Sequence, residues 1–167
     1  MAYPFAQGDF FATFSHLRGR IVQEIQSLEN DYVVKCSADE LEAYYLKKAT
    51  LSPLALHTER HHIARQEAIQ IDVTHDFNRG IFPGERAMVP GTRIEIAIPF
   101  EGDPKLWDIR PSMHSSGCPE IEIENDLISF EISFPDDAAK SDDIKKEINR
   151  KIEALSNNVN HLKNDVA

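Results

Sequence analysis

The sequence predicts an α+β fold: two N-terminal helices, an antiparallel β-sandwich-like sheet, and a long C-terminal helix with a short coiled-coil seam. Three patterns carry that expectation. Apolar residues recur at three- and four-residue steps over residues 10–28, and then alternate strictly at Ile94, Ile96 and Ile98. From Ile148 they return to a 4-3-4-3-4 rhythm through Ile152, Leu155, Val159, Leu162 and Val166. Steps of three and four line one face of a helix, and steps of two line one face of a sheet.

In the first helix the stripe is Phe10, Phe11, Phe14, Leu17, Ile21, Val22, Ile25 and Leu28. Asp9 is its predicted N-cap, and Asn30-Asp31 its stop. Gly19 costs this helix about 1 kcal/mol relative to alanine, so packing must hold it. A short extended piece over residues 32–36 follows. Ser37-Ala38-Asp39-Glu40 reads as a capping box, opening a helix to about Lys48 with Leu41, Tyr44, Tyr45 and Leu46 on its apolar side. Leu51-Ser52-Pro53 closes that unit.

Strand writing begins at Ile69, Ile71 and Val73 and recurs at Ile121 and Ile123. After a turn at Asn125-Asp126 it resumes at Ile128, Phe130, Ile132 and Phe134. Five of the seven glycines and six of the nine prolines fall between residues 80 and 119, which predicts long ordered loops between short strands. The expected division is a helical hairpin plus β-sandwich sensing domain over 1–135, then a polar linker and a connecting or oligomerising helix over 136–167. Ser141 or Asp142 is the predicted cap of that helix.

Composition narrows the function classes. A chain with 41% hydrophobic and 28% charged residues can build a core, which argues against wholesale disorder. A net charge of −10 repels phosphates at long range and argues against a general nucleic-acid or membrane-surface binder. Two cysteines, Cys36 and Cys118, are too few for a disulfide framework, so reduced thiols and a cytoplasmic setting are expected. No secretory signal or membrane span is expected.

Candidate chemistry is sparse. His57, His61 and His62 sit in an extended context, where four residues separate side chains by about 13 Å, too far to share one metal. Cys118 lies four residues from His114, and no third group orients the pair, so a polar connecting loop is expected there in place of a thiol hydrolase. Asp103-Pro104-Lys105 and Asp143-Ile144-Lys145 match half of a nuclease signature without a strand carboxylate to complete it. No cofactor or metal is expected. Arg79, Arg86, Arg93 and Arg110 fall in or beside the loop-rich stretch with Trp107, and guanidinium groups gathered there would bind an anionic ligand or nucleotide. Pairing of these arginines with nearby carboxylates is the plainer expectation. A narrow seam on an otherwise polar final helix predicts a homo-oligomer through Ile148, Ile152, Leu155, Val159, Leu162 and Val166.

Two stretches carry a resemblance. Tyr3-Pro4-Phe5-Ala6-Gln7-Gly8-Asp9-Phe10-Phe11, and Val89-Pro90-Gly91-Thr92-Arg93 with Pro99-Phe100-Glu101-Gly102-Asp103, resemble the N-terminal region of large bacterial proteins with nuclease-like or TIR-like C-terminal effector domains. That resemblance implies a non-catalytic regulatory, sensing or assembly module, of a kind used in defence against phage. It transfers no catalytic residue. Any effector enzyme is expected beyond Ala167, where the terminal stripe is still in rhythm.

Overall fold

Strand β4 (Met88–Glu101) is the axis of the larger sheet. It pairs antiparallel with β3 (His62–Asp72) on one edge and with β7 (Leu127–Pro135) on the other. Strand β6 (Glu122–Glu124) extends the sheet beyond β7, and β2 (Ala55–Leu56) takes the remaining part of the β3 edge. Gly8–Asp9 (β1) and Ile109–Arg110 (β5) form a separate, parallel two-stranded pair. The helices are α1 (Phe10–Gln26), α2 (Ala38–Ala49) and α3 (Ser141–Val166). The computed structural model describes residues 1–29, 32, 35–82, 84–138 and 140–166.

The chain divides into two compact units. The first comprises Met1–Tyr3, Leu56–Phe100 and Ser116–Asn157; the second comprises Pro4–Ala55, Glu101–Ser115 and Asn158–Ala167. The α+β class holds. Among the described residues the strands of the first unit belong to one sheet, and no second sheet faces it within that unit.

The sheet's parity follows from its register. Ile94 lies opposite Ile132, Ile96 opposite Phe130 and Ile98 opposite Ile128, so all six share one face, and all six are buried. The expected turn sits at Asn125, whose φ of 55° is the left-handed conformation that asparagine tolerates. On β3 the register shifts between Ile63 and Arg65. Past that bulge, Ile69 and Ile71 fall on the opposite face, opposite Gly91 and Val89. Gly91 has no side chain because Ile71 occupies the space: a Cβ there would sit 2.4 Å from Ile71 Cδ1.

The opposite face is polar at its centre. Arg93 Nη1 lies 3.0 Å from Glu67 Oε1, its Nε lies 3.6 Å from Glu131, and Arg65 pairs with Glu67 at 3.0 Å. Glu95 and Glu131 are directly opposite one another across β4 and β7. Like charges in that position destabilise a strand pair, and the adjacent arginines offset the repulsion.

In the second unit, the N-terminal segment is stitched to residues 107–110. Phe5 and Gln7 donate backbone hydrogen bonds to the carbonyls of Trp107 and Asp108, and β1 continues the contact on β5. Phe5 and Trp107 are almost fully buried, with ring centroids 5.4 Å apart. Phe5 has a φ of 60°, a strained position for an aromatic residue, held by this packing.

Local expectations met mixed outcomes. Asp9 caps α1 as predicted, accepting from the Ala12 amide at 3.0 Å. The stop at Asn30-Asp31 lies outside the described residues. The piece expected to be extended over 32–36 has Tyr32 and Lys35 in helical backbone, with the Cys36 amide donating to the Tyr32 carbonyl; residues 33 and 34 lie outside the described set. Ser37 is the N-cap of α2, but its side chain makes no cap hydrogen bond, so the capping box is not closed. Ser141 is already the first residue of α3, and the amides of Asp143 and Ile144 both donate to the Lys140 carbonyl.

Gly102 has a φ of +110°, and a Cβ there would lie 2.4 Å from the Pro53 carbonyl oxygen. Gly102→Ala is therefore expected to destabilise the fold by about 2 kcal/mol or more, read as a lowered midpoint of thermal unfolding by circular dichroism. An unchanged midpoint would show that this turn relaxes freely.

Candidate functional site

Helices α1 and α2 form a hairpin whose apolar residues are only partly covered. Phe10 is the only buried residue of α1 among those described, and α2 has none. The inner rows, Leu17 and Ile21 from α1 and Leu28 just past its end, with Leu41 and Tyr45 from α2, are half-buried. At 100° per residue, Val22 and Ile25 leave α1 on one flank of that row, and Glu24 and Ser27 leave it on the other.

The two flanks differ chemically. The first is a groove of about 630 Å³ lined by Ile21, Ile25, Leu28, Leu41, Glu42, Tyr45, Leu46 and Ala49. A smaller hollow of about 150 Å³ adjoins it, sharing Ile21 and Ala49 and adding Phe14, Leu17, Arg18 and Val22. Leu46 is 64% exposed, Phe11 65%, and Ile25 44%. Soluble domains scatter exposed apolar residues singly, whereas a contiguous set on two helices marks an interaction surface.

The second flank is more polar, a hollow of about 410 Å³ whose lining includes Glu24, Ser27, Glu29, Tyr32 and Tyr44. Lys48 Nζ lies 2.6 Å from each oxygen of Glu24 and 5.7 Å from the centroid of the Tyr44 ring. Hydrogen bonding to Glu24 raises the Lys48 pKa, which keeps the ammonium charged throughout the physiological range. Both groups are about 40% exposed, so solvent screens the pair and its effect is modest.

The arginines singled out in the sequence are distributed over both units. Arg79 donates to both oxygens of Asp137 at 2.6 and 2.7 Å, and to Asp76 at 3.0 Å. Arg93 is engaged by Glu67 and Glu131 on the sheet. Arg86 is exposed in the first unit, and Arg110 is exposed on β5 in the second. Trp107 is fully buried, so its ring is not presented to solvent for stacking. An incoming anion at Arg79 or Arg93 would compete with carboxylates already in place.

The histidine run is also locally engaged. The Nδ1 atoms of His61 and His62 face the carbonyls of Thr58 and Arg60 at 2.7 and 3.3 Å. His57 Nδ1 lies 3.6 Å from Glu59. The described residues contain no group of three or more histidine, cysteine or carboxylate side chains that would hold a metal ion. The Cys118 thiol donates to the Ala154 carbonyl at 3.5 Å. No helix among the described residues is long and apolar enough to cross a membrane.

On α3 the predicted seam is spent inside the chain. Ile152, Leu155, Val159 and Leu162 are buried, while Ile148 and Val166 are half-buried. Asn158, one of the polar residues that flank the seam, is fully buried. Its amide group accepts from the Ser115 N–H at 2.8 Å and donates to the Ser115 carbonyl at 2.9 Å. Asp165 accepts from the backbone and hydroxyl of Ser112, so two side chains of α3 latch the loop over residues 112–115.

Comparison with protein-family models, curated proteins and solved structures returned no match. Val22, Ile25 and Leu46 belong to the apolar stripes expected of these helices, and the α1 stripe is too broad for one helix neighbour to cover.

Two outcomes follow. Replacing Asn158 by leucine removes both partners of Ser115 and is expected to cost about 2 kcal/mol, measured by denaturant unfolding. The Arg79 hydrogen bonds hold the Asp137 carboxyl below its ordinary range. A depressed folded pKa contributes stability above the unfolded value of about 3.9, and that contribution is lost as pH falls through the folded pKa. Asp137→Asn should therefore lower the thermal midpoint at neutral pH, with the gap to the parent closing at acid pH; a pH-independent gap would contradict this assignment.

Proposed function

We propose that this chain is a non-catalytic assembly and recognition module that presents the Val22–Ile25–Leu46 flank of its helical hairpin to a partner. One observation carries the reading: two helices bridged by the Glu24–Lys48 contact leave a contiguous apolar groove open along their length. Burying such side chains is worth roughly 1.5–3 kcal/mol each, so the open groove is a reserve of binding energy. The same frame accommodates the resemblance to the front part of bacterial effector proteins. There, a module of this kind would hold copies or a trigger in place while a separate domain acts, in a setting such as defence against phage.

The alternative, an anion- or nucleotide-binding domain using the loop arginines, has less support. Two of its four guanidinium groups are already satisfied by carboxylates, and its tryptophan is buried.

Ile25→Glu and Leu46→Glu test the reading directly. Both positions are exposed, so each variant is expected to keep the parent's helical circular dichroism while losing fluorescence enhancement of a dye that binds apolar surfaces. Loss of the helical signal in either variant would show that this flank belongs to the chain's own core and would end the proposal.

A further inference from the structure

The groove has a polarity that selects its occupant. Helix α2 runs back along α1: Leu41 lines the groove beside Leu28, and Ala49 lies beside Ile21. Glu42 therefore sits near the level of Leu28, while Arg18 lies at the far end, about a turn beyond Ala49. These are the two charged residues lining the apolar flank, one at each end and of opposite sign. Among the described residues neither makes an ion pair within its own chain. Between them lie Val22, Ile25 and Leu46.

A surface with a cation at one end, a carboxylate at the other and an apolar centre is complementary to itself when rotated by 180°. At a rise of 1.5 Å per residue, the Arg18 and Glu42 levels are about 15 Å apart, with the midpoint at Val22 and Ile25. A two-fold axis there places the Arg18 level of each copy over the Glu42 level of the other and stacks the two apolar centres. Isologous interfaces require this reciprocity, in which each charged pair occurs twice. A lipid surface fits the flank less well, because an interfacial helix face needs cations along its border and this one ends in Glu42.

We propose, resting on the assembly reading above, that the partner is a second copy of this chain. The two hairpins dock antiparallel through the Val22–Ile25–Leu46 flank into a four-helix arrangement, and Arg18 of each copy pairs with Glu42 of the other.

Sedimentation equilibrium on the full chain tests this. The expected result is a reversible dimer of twice the 19.0 kDa chain mass. Arg18→Glu alone and Glu42→Arg alone each place like charges at both ends and raise the dissociation constant at least about tenfold. An equimolar mixture of the two variants restores the dimer, because in the mixed pair one charged contact is rebuilt with its signs exchanged and the other is the unaltered Arg18–Glu42 contact. A parent chain that stays monomeric at about 100 μM overturns the proposal. So does a dimer that survives Leu46→Glu, or a mixture of the charge variants no tighter than either alone. Circular dichroism of Leu46→Glu separates the two levels: a monomeric parent with a folded variant removes self-pairing and leaves the assembly surface, whereas an unfolded variant removes both.

Discussion

Everything in the larger sheet depends on the register of β4 between its two neighbours. Ile94, Ile96 and Ile98 meet Ile132, Phe130 and Ile128 in an unbroken antiparallel ladder, and this places six large apolar side chains on one face. A slip of one residue would turn the whole set toward the charged face, where Arg93 sits between Glu67 and Glu131. The apolar match and the ionic match therefore specify the same register from opposite sides. The bulge at Ile63 and Arg65 and the bare Gly91 beneath Ile71 are adjustments of β3 to that fixed strand.

The second unit is organised differently. Its centre is the stitched segment at Phe5 and Trp107, where backbone hydrogen bonds and ring packing act on the same few residues. Gly102 allows the chain to pass against Pro53, and Asn158 holds the loop at Ser115 by both of its backbone groups. The buried Asn158 amide is paired through both its oxygen and its nitrogen, and an unpaired buried polar group costs about as much as a large apolar side chain contributes.

Against these closed cores the hairpin stands out for what it leaves uncovered. The terminal helix has the more regular seam, yet its central residues are almost inaccessible. The first two helices have the less regular pattern and the open groove. Periodicity reports that a helix has an apolar face; it carries no information on which neighbour covers that face. Leu155 and Leu162 are buried while Ile25 and Leu46 are exposed, and only accessibility distinguishes the two sets.

Much of the local architecture was legible in the residues themselves. The α+β class, the cap at Asp9, the turn at Asn125 and the alternating strands follow from short-range sterics and periodicity, which act within a few residues. Other features were not legible because they depend on partners distant in sequence. Asn158 looked like surface until Ser115, 43 residues away, supplied its hydrogen bonds. Arg79 and Arg93 were expected to pair with carboxylates, but their partners Asp137 and Glu67 lie too far along the chain for the sequence to name them. By itself the sequence determined the fold class, where the three main helices and the alternating strands lie, and which faces of them are apolar. Tertiary structure alone decided which of those faces are buried and which stay exposed, because burial is a property of what packs against a face from elsewhere in the chain.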